Sequence, residues 1–159
     1  YIFHALSADA DVLDASATSP TPGQVLVTVL SRQGDGTAPA ALINAVAAYL
    51  SADTRRPLTD LVQVRSATIV PYDIAATVTT YGGPDPAIVL KEARARLDAY
   101  VARCHRIGLD VTRSGIFGAL HVEGVHNVTL ARPANDVVID RTAASWCTGI
   151  GIVAGGVGE

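Results

Sequence analysis

Ser19-Pro-Thr-Pro-Gly-Gln-Val-Leu-Val-Thr-Val-Leu-Ser-Arg-Gln-Gly-Asp-Gly-Thr37 places a turn, a strand, a second turn and a helix start in immediate succession. Pro20 and Pro22 fix φ, and Gly23 relieves the first turn. Val25 to Leu30 is apolar except at Thr28, the pattern of a strand covered on both faces. Gly34-Asp35-Gly36 breaks the strand, and Thr37 offers a hydroxyl to cap a helix. A glycine turn between strand and helix is where a phosphate cradle would sit. The residues argue otherwise. Pro39 stands where the third glycine of G-x-G-x-x-G belongs, and no Gly-Lys-Ser/Thr follows. Pro39 suits the first turn of a helix, where a missing amide costs nothing. The turn reads as scaffolding, and no cofactor is expected.

Working outward, Tyr1 to Ala8 reads as the end of a helix, and Val12 to Thr18 as a strand ended by Pro20 and Pro22. The spacing of Leu42, Val46 and Tyr49/Leu50 predicts a helix over Ala38 to Ala52. Arg55 to Asp60 is a loop, because Pro57 biases Arg56 away from helical backbone. Val62 to Val70 and Tyr72 to Thr80 are strands meeting at Pro71, and in the second Tyr72, Ile74, Ala76 and Val78 form the buried side. Asp85-Pro86 starts a helix running to about Ile107, with Leu90, Ala93, Leu97, Val101 and Cys104 as its apolar stripe. A shorter helix, Arg113 to Val122, is capped by Thr112 and stopped by Gly124. Val125 to Ala131, Val137 to Ile139 and Trp146 to Val153 read as strands, and the glycine-rich tail 154–159 as disordered.

This order contains two strand–helix–strand crossovers, each expected to be parallel and right-handed if both belong to one sheet. The fold class is α+β: mixed sheet with helices on one face, in two small β-β-α type lobes over 1–68 and 69–153.

The chain has 159 residues, 49% hydrophobic and 17% charged, and no methionine, so the natural N-terminus is expected upstream of Tyr1. Its longest clean apolar helical segment, Ala40 to Leu50, contains Asn44 and falls far short of a membrane span, so no membrane partner is expected. A net charge of −3 gives no reason to expect nucleic acid. Lys91, Arg94, Arg96, Arg103 and Arg106 make one helix locally basic, but Glu92 and Asp98 dilute it into a solvated face. So much apolar surface on so short a chain points to burial against another chain.

Reactive constellations are scarce. Cys104 and Cys147 have no C-x-x-C context; they fit a bridge, a reducing compartment or simple burial, and Cys104 lies in core register. His121 and His126 are five apart with Gly124 between them, which breaks the helical geometry of H-E-x-x-H, so no metal is expected. Ser114 lacks the G-x-S-x-G elbow, and Asp9, Asp11 and Asp14 lack the glycine and terminal glutamate of a calcium loop. No catalytic residue is assigned. Two alternatives carry definite expectations. An unrecognised hydrolase would bring two or more of His4, His105, His121 and His126 together with a carboxylate in a pocket. A carbohydrate- or peptide-binding module would expose its aromatic residues.

Several stretches resemble the C-terminal part of the baseplate J-like proteins of contractile-tailed bacteriophages. They are Ser19-Pro-x-Pro-Gly-x-Val-x-Val-x-Val-Leu-Ser-Arg-x-Gly-Asp-Gly-Thr37, Arg56-Pro-Leu-Thr-Asp60 with Val62 and Val64, Pro71-Tyr72, and Asp110-Val-Thr-Arg-Ser-Gly115 continuing to Ala119-Leu-His-Val-Glu-Gly-Val125. The resemblance implies a structural wedge component of the plate at the tail tip, associating in pairs and contacting neighbouring wedge and hub proteins. It implies contact surfaces in place of catalytic residues. The same module occurs in prophages, bacteriocins and other contractile injection devices. Independently of the resemblance, the loop Arg55 to Asp60 and the helix Arg113 to Val122 carry charge and apolar groups in segments too short to be self-sufficient, so the residues expected at interfaces are Arg56 and Leu58 in the loop, and Arg113, Phe117 and His121 on the short helix. Phe117→Asp is therefore expected to disrupt folding or assembly. Gel filtration and circular dichroism check this: normal values in both would make Phe117 a bystander.

Overall fold

A computed structural model of the chain describes residues 1–52, 54, 57 and 59–159. It is an α+β structure with two three-stranded sheets, and it divides into two compact units. The first comprises Tyr1–Val70, Arg106–Gly108 and Ile139–Trp146; the second comprises Pro71–His105, Leu109–Val138 and Cys147–Glu159.

In the first unit, α1 (Ile2–Ala8) leads into β1 (Val12–Thr18), β2 (Gln24–Ser31), α2 (Ala40–Leu50) and β3 (Leu61–Ser66). The sheet order is β1-β2-β3. β1 runs antiparallel to β2, with Thr18 opposite Leu26, across the proline turn in which Gly23 takes φ +78°. α2 then returns the chain so that β3 lies parallel to β2, Gln24 opposite Leu61 and Val29 opposite Ser66. This is the first crossover expected from the sequence.

β2 is the middle strand, and both its faces are covered, which is why its sequence does not alternate. Val27 and Val29 pack with Leu42, Val46 and Leu50 of α2. Leu30 packs with Ala67 and Ala144 in a separate cluster that Leu13, Ile69 and Ile107 border. The returning segments 106–108 and 139–146 thus supply the second cover. They are tied to β1 by polar contacts: the Asp14 carboxylate accepts from the Ile107 amide at 2.9 Å, and the Arg106 guanidinium donates to the Leu13 carbonyl at 2.9 Å.

In the second unit, β4 (Thr68–Tyr81, entered from the first unit) is followed by α3 (Pro86–Cys104), α4 (Arg113–Leu120), β5 (Val125–Arg132) and β6 (Ala143–Gly158). The order is β5-β4-β6, so β4 is central. Tyr72, Ile74, Ala76 and Val78 are buried at alternate positions, as the sequence predicts, and pack against Val89, Ala93 and Leu97 of α3 and Ile116 and Leu120 of α4. The Asp85 side chain accepts from the Ala87 amide at 3.0 Å with Pro86 opening α3, the predicted cap.

Several expectations need correction. The second crossover is not parallel: β5 runs antiparallel to β4, Thr80 opposite Val125. Two consecutive helices reverse the chain twice, so it re-enters beside the strand end it left, where the Tyr81 amide donates to the Gly124 carbonyl at 2.9 Å. The break between the third and fourth strands falls at Ala67, and exposed Pro71 lies inside β4. Thr37 does not cap α2; Pro39 occupies the cap position, with no side-chain hydrogen bond. α3 ends at Cys104 and α4 at Leu120, both short of the predicted ends. Val137 makes only an isolated bridge with Val111. Residues 154–158 continue β6 where disorder was expected. The glycines there permit close approach: a Cβ on Gly155 would come within 2.7 Å of the Thr77 side chain of β4. The loop 55–60 that includes the candidate residues Arg56 and Leu58 cannot be compared, because both lie outside the described residues.

The turn into β6 is built on Asp140. Its carboxylate accepts from the Thr142 hydroxyl at 2.7 Å and the Thr142 amide at 2.6 Å, and these bonds hold its pKa below the ordinary carboxylate range. A lowered pKa means that the turn is favoured at pH above the ordinary value of about 3.9 and loses that support as pH falls through the lowered one. The Thr142 amide resonance should therefore titrate with a midpoint below that of a free aspartate. A midpoint at or above the free value would show these bonds to be absent in solution.

Candidate protein-interaction surface

α4 carries two of the residues expected to make contacts, with a third, His121, at its C-cap, and its local chemistry explains where each goes. The Thr112 hydroxyl caps the helix by accepting from the Gly115 amide at 3.1 Å. The Asp136 carboxylate accepts from the Arg113 amide at 2.7 Å, placing a negative charge at the positive end of the helix dipole. The Arg113 guanidinium donates to the Pro133 carbonyl and, at 3.2 Å, to that of Leu130. The same group lies 5.7 Å from the Phe117 ring centre, a cation–π distance. Phe117 itself is half-buried against the core of the second unit.

Arg113 and Phe117 are thus engaged within the unit, bracing the chain that leaves β5. His121, at the C-terminal cap of α4, is exposed; its amide donates to the Phe117 carbonyl at 2.9 Å. Of the predicted contact residues that can be assessed, the structure brings Arg113 and Phe117 together and leaves His121 facing out.

The remaining histidines do not assemble a reactive centre. His4 stacks near Phe3 and Tyr49 in the first unit. His126 sits edge-on to Tyr81, and its Nε2 lies 3.0 Å from the Glu159 carbonyl oxygen. His105 caps the end of α3. Among the described residues no group of three or more His, Cys, Asp or Glu side chains could hold a metal ion. No helix among them is long and apolar enough to cross a membrane. Cys104 and Cys147 are not joined in a disulfide. Burial pushes the Cys147 thiol up from its ordinary pKa, and burial likewise raises Tyr72, whose hydroxyl has the Cys147 thiol as a polar neighbour but no hydrogen bond of ordinary geometry.

Beside α4 lies a feature that the sequence reading missed. A groove of about 310 Å³ opens between α3 and α4. Arg96, Tyr100 and Arg103 line it from α3, and Gly115, Gly118 and Ala119 from α4. The Tyr100 hydroxyl accepts from the Thr112 amide at 3.1 Å, locking the two helices together. The available signal was Gly115-x-x-Gly118 inside a predicted helix, an expense in helix propensity that needs a packing reason.

The apolar surface is distributed widely. Phe3 is 74% exposed, Val138 77%, Ile88 67% and Val157 64%, which leaves large side chains in water on both units. Comparison with known proteins identifies the setting. The baseplate J-like central domain matches residues 1–66, and the baseplate J-like C-terminal domain matches residues 72–153. The chain belongs to the baseplate J-like family. Over all 159 residues it is 44% identical to Baseplate protein J of Escherichia phage P2, and it spans 53%, about half, of that relative's length. It also shares its fold with a chain in the sixfold-symmetrised cryo-electron-microscopy structure of the anti-feeding prophage baseplate. There the TM-score is 0.61 at 13% identity, covering 92% of this chain and 36% of the other.

The two α4 glycines in this baseplate J-like chain predict opposite responses to alanine. A Cβ at position 115 would lie 2.2 Å from the Tyr100 hydroxyl oxygen and 2.5 Å from Cζ, whereas nothing lies within 4 Å at position 118. Gly115→Ala should lower stability by about 1–2 kcal/mol, overpacking outweighing the gain in helix propensity. Gly118→Ala should raise it by about 0.5–1 kcal/mol. Urea unfolding of both variants checks the pair, and equal signs would refute the packing assigned to Tyr100.

Proposed function

We propose that this chain is a structural part of a baseplate wedge in a contractile phage tail or a tail-derived particle, and that it acts through protein–protein interfaces. The observation that carries this reading is the 44% identity to Baseplate protein J of phage P2 over all 159 residues. Membership of the family and the exposed apolar side chains on both units support it as well. In this reading the protein assembles in the host cytoplasm, resides at the tail tip, pairs with a second copy and contacts neighbouring wedge and hub proteins. It performs no chemistry of its own. The scattered histidines and the raised Cys147 thiol favour that, because a nucleophilic thiol needs a lowered pKa.

The division near residue 68 belongs to the same proposal. Two lobes, each with its own core, fold around their own sheets, and the family matches ending at 66 and starting at 72 favour that division. Arg56, Leu58 and His121 are the contact residues proposed within it. Arg113 and Phe117 would act by holding α4 in place for such contacts.

A chimaera tests the role. The matched part of phage P2 Baseplate protein J is replaced by this chain in a phage lacking its own copy. The expected result is contractile particles carrying the chimaera at the baseplate end, seen by immunogold electron microscopy. A folded chimaera that stays in the soluble fraction while tails accumulate without it would refute the wedge assignment.

A further inference from the structure

The groove between α3 and α4 has a chemistry that its own unit does not use. Arg96 and Arg103 are seven residues apart on α3, which puts them on the same helix face about 10 Å apart along the axis. Tyr100 lies between them, and the Arg103 guanidinium sits 5.9 Å from its ring centre. No acidic residue lines the groove. Arg96 has a 3.6 Å contact with Glu92, but both side chains are more than half exposed, so the pair is readily exchanged. Among the described residues Arg103 has no carboxylate partner.

The opposite wall is unusually bare. Gly115 is explained by Tyr100, which fills the space a Cβ would need. Gly118 has no such neighbour and no positive φ, yet it occupies the interior of α4, where alanine would form a better helix. Nothing inside the chain requires glycine there. Glycine there would permit close approach of another backbone from outside, since small residues let helices pack at the short end of their 8–10 Å range.

We infer that the α3–α4 groove is a docking site for an acidic helix of a partner protein, one with small side chains facing Gly118 and two carboxylates two turns apart meeting Arg96 and Arg103. Charge complementarity selects that occupant: a basic wall and a bare wall fit a segment that is acidic on one edge and small on the other. This rests on the reading of the chain as an interface protein, and it adds the place and the kind of partner.

The test uses the full chain and a labelled, alanine-rich helical peptide with two glutamates seven positions apart, beside a twin in which glutamine replaces both. Fluorescence anisotropy should show the glutamate peptide binding about tenfold more tightly than the glutamine twin, the gap closing at high salt. Arg103→Glu should weaken glutamate-peptide binding by about tenfold, and Gly118→Leu should abolish it by filling the groove. Circular dichroism establishes that each variant is folded. If Gly118→Leu does not fold, the exposed Arg103→Glu variant decides. Equal affinity for the two peptides, no binding of either, or binding unchanged by both substitutions would overturn the docking site. Because the peptides report on the groove alone, failure here leaves the chimaera result, and the wedge assignment with it, to stand or fall separately.

Discussion

Everything in this structure depends on covering a central strand. Each sheet has one middle strand: β2 is paired on both edges and covered on both faces, and β4 buries one face against α3 and α4. In the first unit the helices cover Val27 and Val29, but Leu30 points away from them into the cluster with Ala67 and Ala144. The local chain between β1 and β3 has nothing left to place there. The cover comes from segments 106–108 and 139–146, far away in sequence, and it is held by the Asp14 and Arg106 contacts. The cores are small as a result, and burial of a Leu or Val at about 1.5–3 kcal/mol each gives little reserve. The molecule can afford few unpaired polar groups, and the buried Thr28 and Thr80 hydroxyls, which have no hydrogen-bond partner among the described residues, are exceptions to that rule.

Small cores also explain the outer surface. A chain of this size and composition cannot bury all its large apolar side chains, and Phe3, Ile88, Val138 and Val157 remain in water. In a free-standing enzyme these would be aggregation liabilities. In a member of the baseplate J-like family they are available for contacts with neighbouring chains, the use proposed for them above. The 13% identity to the anti-feeding prophage chain, at a TM-score of 0.61, shows the same architecture accommodating a very different sequence.

Local features of the fold were legible in the sequence because their causes are local. Asp85 followed by Pro86 makes a cap whatever lies elsewhere, and the alternation of Tyr72, Ile74, Ala76 and Val78 follows from strand geometry with one buried face. The parallel β2–β3 crossover was legible for the same reason: one helix between two strands has one natural path. The antiparallel β4–β5 pair was not legible, because it depends on α4 reversing the direction that α3 set. The tail misled for a different reason. Glycine was read as a lack of order, whereas Gly155 allows β6 to approach the threonines of β4. Of the candidate contact residues, Arg113 and Phe117 were chosen for mixed charge and apolarity in a short helix. That same mixture is what lets them pack on each other and on the chain leaving β5. Sequence composition at a single position cannot distinguish an arginine that reaches outward from one that reaches for its own carbonyls.

The polar chemistry of the second unit divides into groups held neutral and exposed cations. Catalytic sites are recognised by titratable groups pushed toward the state that reacts. Here buried Tyr72 and half-buried Cys147 beside it are both pushed toward the neutral state, the direction that suppresses a thiolate. The exposed cations are arranged differently. Arg94 is matched at 3.1 Å by Asp98 and Arg132 at 2.7 Å by Asp73, while Arg103, on the wall of the groove, rests on an aromatic ring. A guanidinium held over Tyr100, on a groove wall that lacks a carboxylate among the described residues, is the charge that the proposed partner helix would meet, since association gains most where a charge already held in position waits for its counterion.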